Sequence, residues 1–100
     1  MTPLFFSPQA ETDLEEIGDF IARDNPIRAL SFVRELKSKC LPLQNAPGIG
    51  ASRPELGEGI RMVPHGRYLI FYREQMDAVR VERVMHSARD INNDDFVLDG

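Results

Sequence analysis

The sequence contains one cysteine, only two lysines and no long hydrophobic run. The single cysteine, Cys40, excludes an intrachain disulfide and is consistent with a reducing compartment. No apolar stretch approaches the ~20 residues that a membrane helix needs, and no basic segment followed by an apolar run marks a signal peptide. We therefore expect a cytoplasmic protein without a membrane segment.

Potential metal ligands are equally scarce. The two histidines, His65 and His86, and Cys40 lie at spacings that match no metal motif. The glycines of Pro47-Gly48-Ile49-Gly50 neither follow a strand nor open a helix, so we expect no phosphate-binding loop. We predict no metal and no cofactor, a turn role for His65 and a core position for Cys40.

The 100 residues, 42% of them hydrophobic and 28% charged, suit one globular domain. No internal repeat or low-complexity segment divides them. We assign residues 1–92 to a single domain and residues 93–100 to an acidic tail that is either loose or weakly docked.

Charge is distributed unevenly along the chain, whose net charge is −4. Residues 1–24 carry six acids and one arginine, residues 60–89 carry six arginines and three acids, and residues 90–100 carry four aspartates and no base. Nucleic-acid affinity comes mainly from neutralising phosphates, so we expect no sequence-specific nucleic-acid binding by this chain alone. The cationic last strand, Arg80 to Arg89, can still meet an acidic partner.

The same helix-start signal occurs twice in the sequence and predicts two helices. Ser7-Pro8 and Asn25-Pro26 each place a preferred N-cap before a proline at the first helical position. The first helix is predicted over residues 8–24, and Pro42 should kink or end the second. The apolar stripe of the second helix is Ala29, Val33, Leu36, Cys40 and Leu43.

A sheet should accompany this helical hairpin. The pattern predicts a strand over residues 2–6 and a loop over 45–59, which holds four glycines and two prolines. Beyond the loop the apolar period becomes two, which predicts strands over 60–64, 67–73 and 79–86. The predicted fold is α+β: an N-terminal strand and an antiparallel helical hairpin packed on a three- to four-stranded, mainly antiparallel sheet.

Two features of this sheet call for an explanation. The middle strand, Tyr68 to Tyr72, is apolar on both faces, so its second face either needs a cover or is a binding surface. Arg83 shares strand parity with apolar residues. Either a bulge moves it outward or it is buried and paired with an acid. The candidate acids are Asp19, Asp24 and Asp90.

The arginines of the meander together with His86 are the candidate chemical group. RNA cleavage needs a base, an acid and cations at the phosphorus, which His86 and the arginines Arg61, Arg67, Arg73 or Arg83 could supply. The alternative is that the arginines solvate a sheet face and His86 caps a strand. We favour this alternative, because no motif places a carboxylate beside the histidine.

The order of strand, helical hairpin and meander resembles the RelE/ParE toxin superfamily, and in detail its ParE branch. The resemblance covers roughly residues 4 to 92. The residues that carry it are Ala10, Leu14 to Ile17, Asp24-Asn25-Pro26, Ala29, Pro47-Gly48, Gly50, Arg53 to Leu56, Gly59-Ile60-Arg61, Tyr68 to Arg73 and Arg83 to Ile91.

The resemblance implies a toxin of a type II toxin–antitoxin system, neutralised by a ParD-like antitoxin encoded beside it. ParE-like toxins inhibit DNA gyrase, whereas RelE-like relatives cut mRNA on the ribosome. The antitoxin of such systems usually has a disordered segment that wraps the toxin, which suits an uncovered apolar face.

Gyrase inhibition is the function we expect, and we do not expect an enzyme. The chain has no lysine outside the second helix, and its acidic tail lacks the tyrosine that the RelE-like pattern uses. Ribosome-dependent mRNA cleavage is the alternative, and a non-toxic regulatory partner of the antitoxin is a third. The predicted target-contacting residues are Arg61, Arg73, Arg83, His86 and Arg89. The predicted antitoxin-binding residues are Ile17, Phe20, Leu69 and Phe71.

Overall fold

A mixed five-stranded sheet and two helices make up the computed structural model, which describes residues 2–96. In chain order the elements are β1 (Leu4–Phe6), α1 (Pro8–Ala22), α2 (Pro26–Cys40), β2 (Ala51–Ser52), β3 (Arg61–His65), β4 (Tyr68–Gln75) and β5 (Ala78–His86). Short 3₁₀ turns span Leu41–Gln44, Pro47–Ile49 and Asn93–Phe96. The predicted α+β class is confirmed.

Both helices begin where the sequence predicts. The Ser7 hydroxyl accepts a hydrogen bond from the Ala10 N–H at 2.9 Å, and the Asn25 side chain accepts one from the Arg28 N–H at 3.0 Å. The first helix ends two residues earlier than predicted, at Ala22. The second passes into a 3₁₀ turn that contains Pro42, as expected for a proline there.

The strand order is β1-β5-β4-β3-β2, with β1 parallel to β5 and the other pairs antiparallel. The prediction of three to four strands missed β2. This strand consists of two residues of the predicted loop, Ala51 and Ser52, which pair with Met62 and Arg61. A two-residue strand is too short for an alternating pattern to reveal it.

The helices and one face of the sheet enclose the first core. Leu36 and Cys40 are each 1% exposed there, which confirms both as core residues. Burial raises the pKa of the Cys40 thiol to about 12, so the thiol stays protonated and unreactive near neutral pH. The other buried members are Ala10, Leu14, Ile17, Leu43, Val63, Ile70, Tyr72, Val79, Val81 and Val84.

A second core lies on the opposite face of the sheet. Leu56 and Ile60 from the loop and Phe96 from the C-terminal 3₁₀ turn cover Phe71 and Met85. The Phe96 ring meets the Phe71 ring edge to face, with centroids 5.1 Å apart. The chain itself therefore supplies the cover that the apolar middle strand requires.

This cover bears on the predicted acidic tail. Residues Asn93–Phe96 form a docked 3₁₀ turn, and Phe96 is only 7% exposed. Residues 97–100, the rest of that tail, lie outside the described residues. The domain boundary at residue 92 stays a prediction.

A bulge interrupts the pairing of β4 with β5. Phe71 lies opposite Arg83, whereas Tyr72 lies opposite Val81, so Glu82 is the extra residue. The bulge changes the parity of the strand, because Val81 and Val84 both enter the first core although they are three positions apart. The bulge therefore also determines which face of the sheet the charged side chains of β5 occupy.

Candidate partner-binding surfaces

Arg83 is anchored to α1 by two hydrogen bonds. Its Nε and Nη2 donate to the two carboxylate oxygens of Asp13 at 2.8 and 2.9 Å, and its Nη1 donates to the Asp95 carbonyl at 3.0 Å. The prediction of an acid partner is right, but the candidates Asp19, Asp24 and Asp90 are wrong. The Asp13 contact raises the Arg83 pKa and keeps the guanidinium charged.

Arg73 and Arg80 share one buried carboxylate, that of Glu82, which is 3% exposed. Arg80 Nε donates to Glu82 Oε1 at 2.7 Å. Arg73 Nε lies 2.9 Å from Glu82 Oε2, but neither atom has a hydrogen-bond partner of good geometry among the described residues. This second contact is thus an ion pair without a hydrogen bond. Arg73 Nη1 instead donates to the Glu58 carbonyl at 3.1 Å.

The two remaining predicted arginines are also held by the chain. Arg61 Nη1 donates to the Gly50 carbonyl at 2.9 Å, and Arg89 Nη2 donates to Asp95 Oδ1 at 2.7 Å. The predicted target-contacting arginines therefore do not form one free cationic surface. Much of their charge is balanced inside the fold, and they lie on three different strands and in the segment that follows β5.

His86 ends β5 in a local hydrogen bond. Its Nδ1 accepts from the Ala88 N–H at 3.0 Å, which in the neutral ring leaves the proton on Nε2. The ring packs edge on against Tyr68, with centroids 5.1 Å apart. Within residues 2–96 no carboxylate lies within ion-pairing distance of this histidine, so the structure supplies no acid–base partner for it.

A cleft of about 220 Å³ brings together residues predicted for different roles. Ile17 and Phe20, expected to bind an antitoxin, share it with His86 and Arg89, expected to contact a target. Phe20 is 61% exposed at its rim.

The other two residues expected to bind an antitoxin lie on the opposite face of the sheet, in the second core. Phe71 has no exposed surface, because Phe96 covers it, and Leu69 packs against the same cluster. Phe71 is therefore inaccessible in this fold, and its contact with an antitoxin stays a prediction.

A groove of about 810 Å³ lies between the outer surfaces of α1 and α2. Its apolar lining comes from Leu14, Gly18, Ala22, Ala29, Leu30 and Val33. Glu11, Glu15 and Asp19 line it from α1, and Arg34 and Lys37 line it from α2.

Sequence reasoning missed this groove. The sequence signal for the groove is Leu30, a leucine that lies off the apolar stripe of α2. In the structure its side chain is 65% exposed. A large apolar side chain on the solvent side of an amphipathic helix indicates an interaction surface.

Comparison with protein-family models identifies the family of this chain. The family model described as "ParE toxin of type II toxin-antitoxin system, parDE" matches residues 4–91. The chain belongs to the ParE toxin family. The ParE-like resemblance of its sequence is thereby confirmed.

Individual relatives agree with the ParE assignment. The chain is 31% identical over 91 residues to Toxin ParE1 of Caulobacter vibrioides, an alignment that covers 88% of this chain and 92% of the relative. It also resembles a solved structure described as a chromosomal ParDE TA system from P. aeruginosa, with a TM-score of 0.73 and 25% identity. That match covers 86% of this chain and 96% of the other.

Metal-binding groups and membrane helices are both absent from the part of this ParE family member that the structure describes. Among residues 2–96, no group of three or more His, Cys, Asp or Glu side chains is placed to hold a metal ion. Within the same range, no helix is long and apolar enough to cross a membrane.

Proposed function

We propose that this ParE family member is the toxin of a type II toxin–antitoxin module. In this proposal it acts in the cytoplasm by inhibiting DNA gyrase, and a ParD-like antitoxin neutralises it. The observation that carries the proposal is the match to the ParE family model over residues 4–91. The solved structure described as a ParDE system supports the pairing with an antitoxin.

The charge arrangement favours gyrase inhibition over RNA cleavage. Cations that stabilise a cleaved phosphate must be free to contact it. Here Arg83 is paired with Asp13 and Arg89 with Asp95, and no carboxylate among residues 2–96 orients His86. A toxin that acts by binding a protein target does not require such groups to be free.

The interhelical groove is the surface we assign to the antitoxin. A disordered segment that folds on binding gains most from a long apolar groove, because burying that surface offsets the entropy of ordering. The groove offers an apolar floor, and Leu30 stands 65% exposed beside it. An amphipathic antitoxin helix with its apolar face on Leu30 fits this shape.

Expression with and without a ParD-like antitoxin tests the proposal. Alone, the chain should stop growth and relax a reporter plasmid, because gyrase maintains negative supercoiling. Co-expressed antitoxin should restore both. Unimpaired growth without the antitoxin would contradict toxicity. Arrested growth with normal supercoiling and new codon-linked mRNA ends would favour RNA cleavage instead.

A pair of leucine variants tests the assigned groove. Leu30→Asp should abolish rescue by the antitoxin while leaving growth arrest intact, because it places a charge in an apolar contact. Leu41→Asp, a 54% exposed leucine outside the groove, is the matched control and should still be rescued. Rescue of both variants would exclude the groove as the antitoxin site.

A further inference from the structure

Two arginines face each other on the side of the sheet that the helices do not cover. Arg73 on β4 lies directly opposite Arg80 on β5, and Phe5 on β1 lies opposite Arg80 from the other side. Directly opposed residues share a face of a sheet. The neighbours Val79 and Val81 point into the first core, so this row points the other way.

Like charges placed directly opposite each other destabilise a sheet, so the arginine pair needs compensation. Glu82, the extra residue of the bulge, supplies this compensation, because its carboxylate contacts both guanidinium groups. Within residues 2–96, Glu82 carries the one carboxylate in ion-pairing distance of Arg73 and Arg80, so one positive charge is left unbalanced. By contrast, Arg83 and Arg89 each have an acid of their own.

The unbalanced charge is accessible. Arg80 donates only its Nε to Glu82, and its side chain is 33% exposed. Arg73 Nε is buried and finds no well-aligned acceptor in residues 2–96. Beside the two arginines, Phe5 exposes 57% of its surface. The row therefore combines an apolar ring with surplus positive charge.

We propose that the row Phe5, Arg80 and Arg73 binds a carboxylate of a protein partner, with an apolar side chain of that partner packed on Phe5. A single acidic side chain would bring the arginine cluster to neutrality. Arginine and aromatic residues are enriched at the centres of protein interfaces. This inference does not depend on the gyrase or antitoxin assignment.

A nucleic acid is the less suitable occupant. Its affinity grows with the number of phosphates that are neutralised. This row has one surplus charge, and the chain as a whole carries a net charge of −4. The row also lies on the face opposite the helices, so a partner there and a helix in the interhelical groove can bind together.

Capped tripeptides provide the probe. Acetylated and amidated Leu-Glu-Leu is titrated into the isotope-labelled chain, and the NMR signals of the Arg73 and Arg80 side-chain N–H groups are followed. Leu-Gln-Leu is the matched neutral peptide, and single-stranded decathymidylate at the same salt concentration is the nucleic-acid arm. We expect Leu-Glu-Leu to bind about fivefold more tightly than Leu-Gln-Leu, the scale of one partly exposed ion pair.

Variants of opposite sign sharpen this test. Arg80→Gln should weaken Leu-Glu-Leu binding about fivefold, and Glu82→Gln should tighten it, because the surplus charge doubles. Arg67→Gln, an exposed arginine outside the row, should change nothing. Urea unfolding checks that each variant is folded. If Glu82→Gln unfolds, the comparison of Arg80→Gln with Arg67→Gln decides.

Three results would overturn the proposal. Equal affinity for the two peptides would mean that charge is not recognised. Equal binding by the Arg80→Gln and Arg67→Gln variants would place the site elsewhere. Tighter binding of decathymidylate than of Leu-Glu-Leu would make the row a nucleic-acid contact.

Discussion

The Asp13 carboxylate joins α1 to the open part of β5. It accepts two hydrogen bonds from the Arg83 guanidinium group and a third from the Val84 N–H at 2.9 Å. The pairing of β1 with β5 ends at Val81, so beyond that point no strand of residues 2–96 pairs with β5 on this side. A helix side chain thus replaces a missing strand.

Asp13→Ala should destabilise the protein by about 3 kcal/mol, because it leaves a largely buried guanidinium and a buried backbone N–H without their acceptor. The midpoint of urea unfolding measures this loss. Asp19→Ala, at an exposed position of the same helix, is the control and should change stability by no more than about 0.5 kcal/mol. Equal effects would mean that the Asp13 contacts contribute little.

Gly50→Ala should destabilise the fold by about 1–3 kcal/mol, because overpacking a well-filled site forces its neighbours to move. A Cβ at this position would lie 2.5 Å from the Tyr72 hydroxyl, which donates to the Pro47 carbonyl and accepts from the Gly50 N–H. Gly48→Ala is the matched control, because a Cβ there meets no atom within 4 Å. Thermal unfolding of both variants checks the difference.

Local signals predicted the helices well, and distant contacts could not be predicted. The caps at Ser7 and Asn25 act within three residues of themselves, so the sequence shows them directly. The partner of Arg83 depends on a bulge and on how α1 lies along β5. The burial of Phe71 depends on Phe96, which is remote in sequence. No periodic pattern records such pairings.

Phe96→Ala should cost about 3–5 kcal/mol, because it removes a buried aromatic side chain and uncovers Phe71. Exposure of the second core should also increase binding of a hydrophobic dye. Phe5→Ala, at an exposed phenylalanine, is the control and should not increase dye binding. A Phe96→Ala variant as stable as the parent would show that the C-terminal turn does not cover the sheet.

Glu35 should make stability depend on acid pH. Hydrogen bonds from Arg28, and then from His65, lower the pKa of Glu35 from its ordinary 4.5 to about 2. A lowered folded-state pKa gives stability that is complete above pH 4.5 and is lost as the pH falls towards 2. Glu35→Gln should therefore be less stable than the parent above that window, and the difference should shrink within it.

Chemical unfolding between pH 2 and pH 6 measures this dependence. Arg28→Gln removes the largest cause of the lowered Glu35 pKa and should reduce the acid dependence of the parent. A stability difference between the parent and Glu35→Gln that stays constant across the window would contradict the assignment.

Gyrase activity in a purified system tests the central proposal most directly. The chain is added to DNA gyrase and relaxed plasmid, with and without a ParD-like antitoxin. Loss of supercoiling that the antitoxin reverses is the predicted result. The chain used must be folded and must stop growth in cells. If gyrase still supercoils the plasmid fully at an excess of that chain, the result contradicts gyrase as the target.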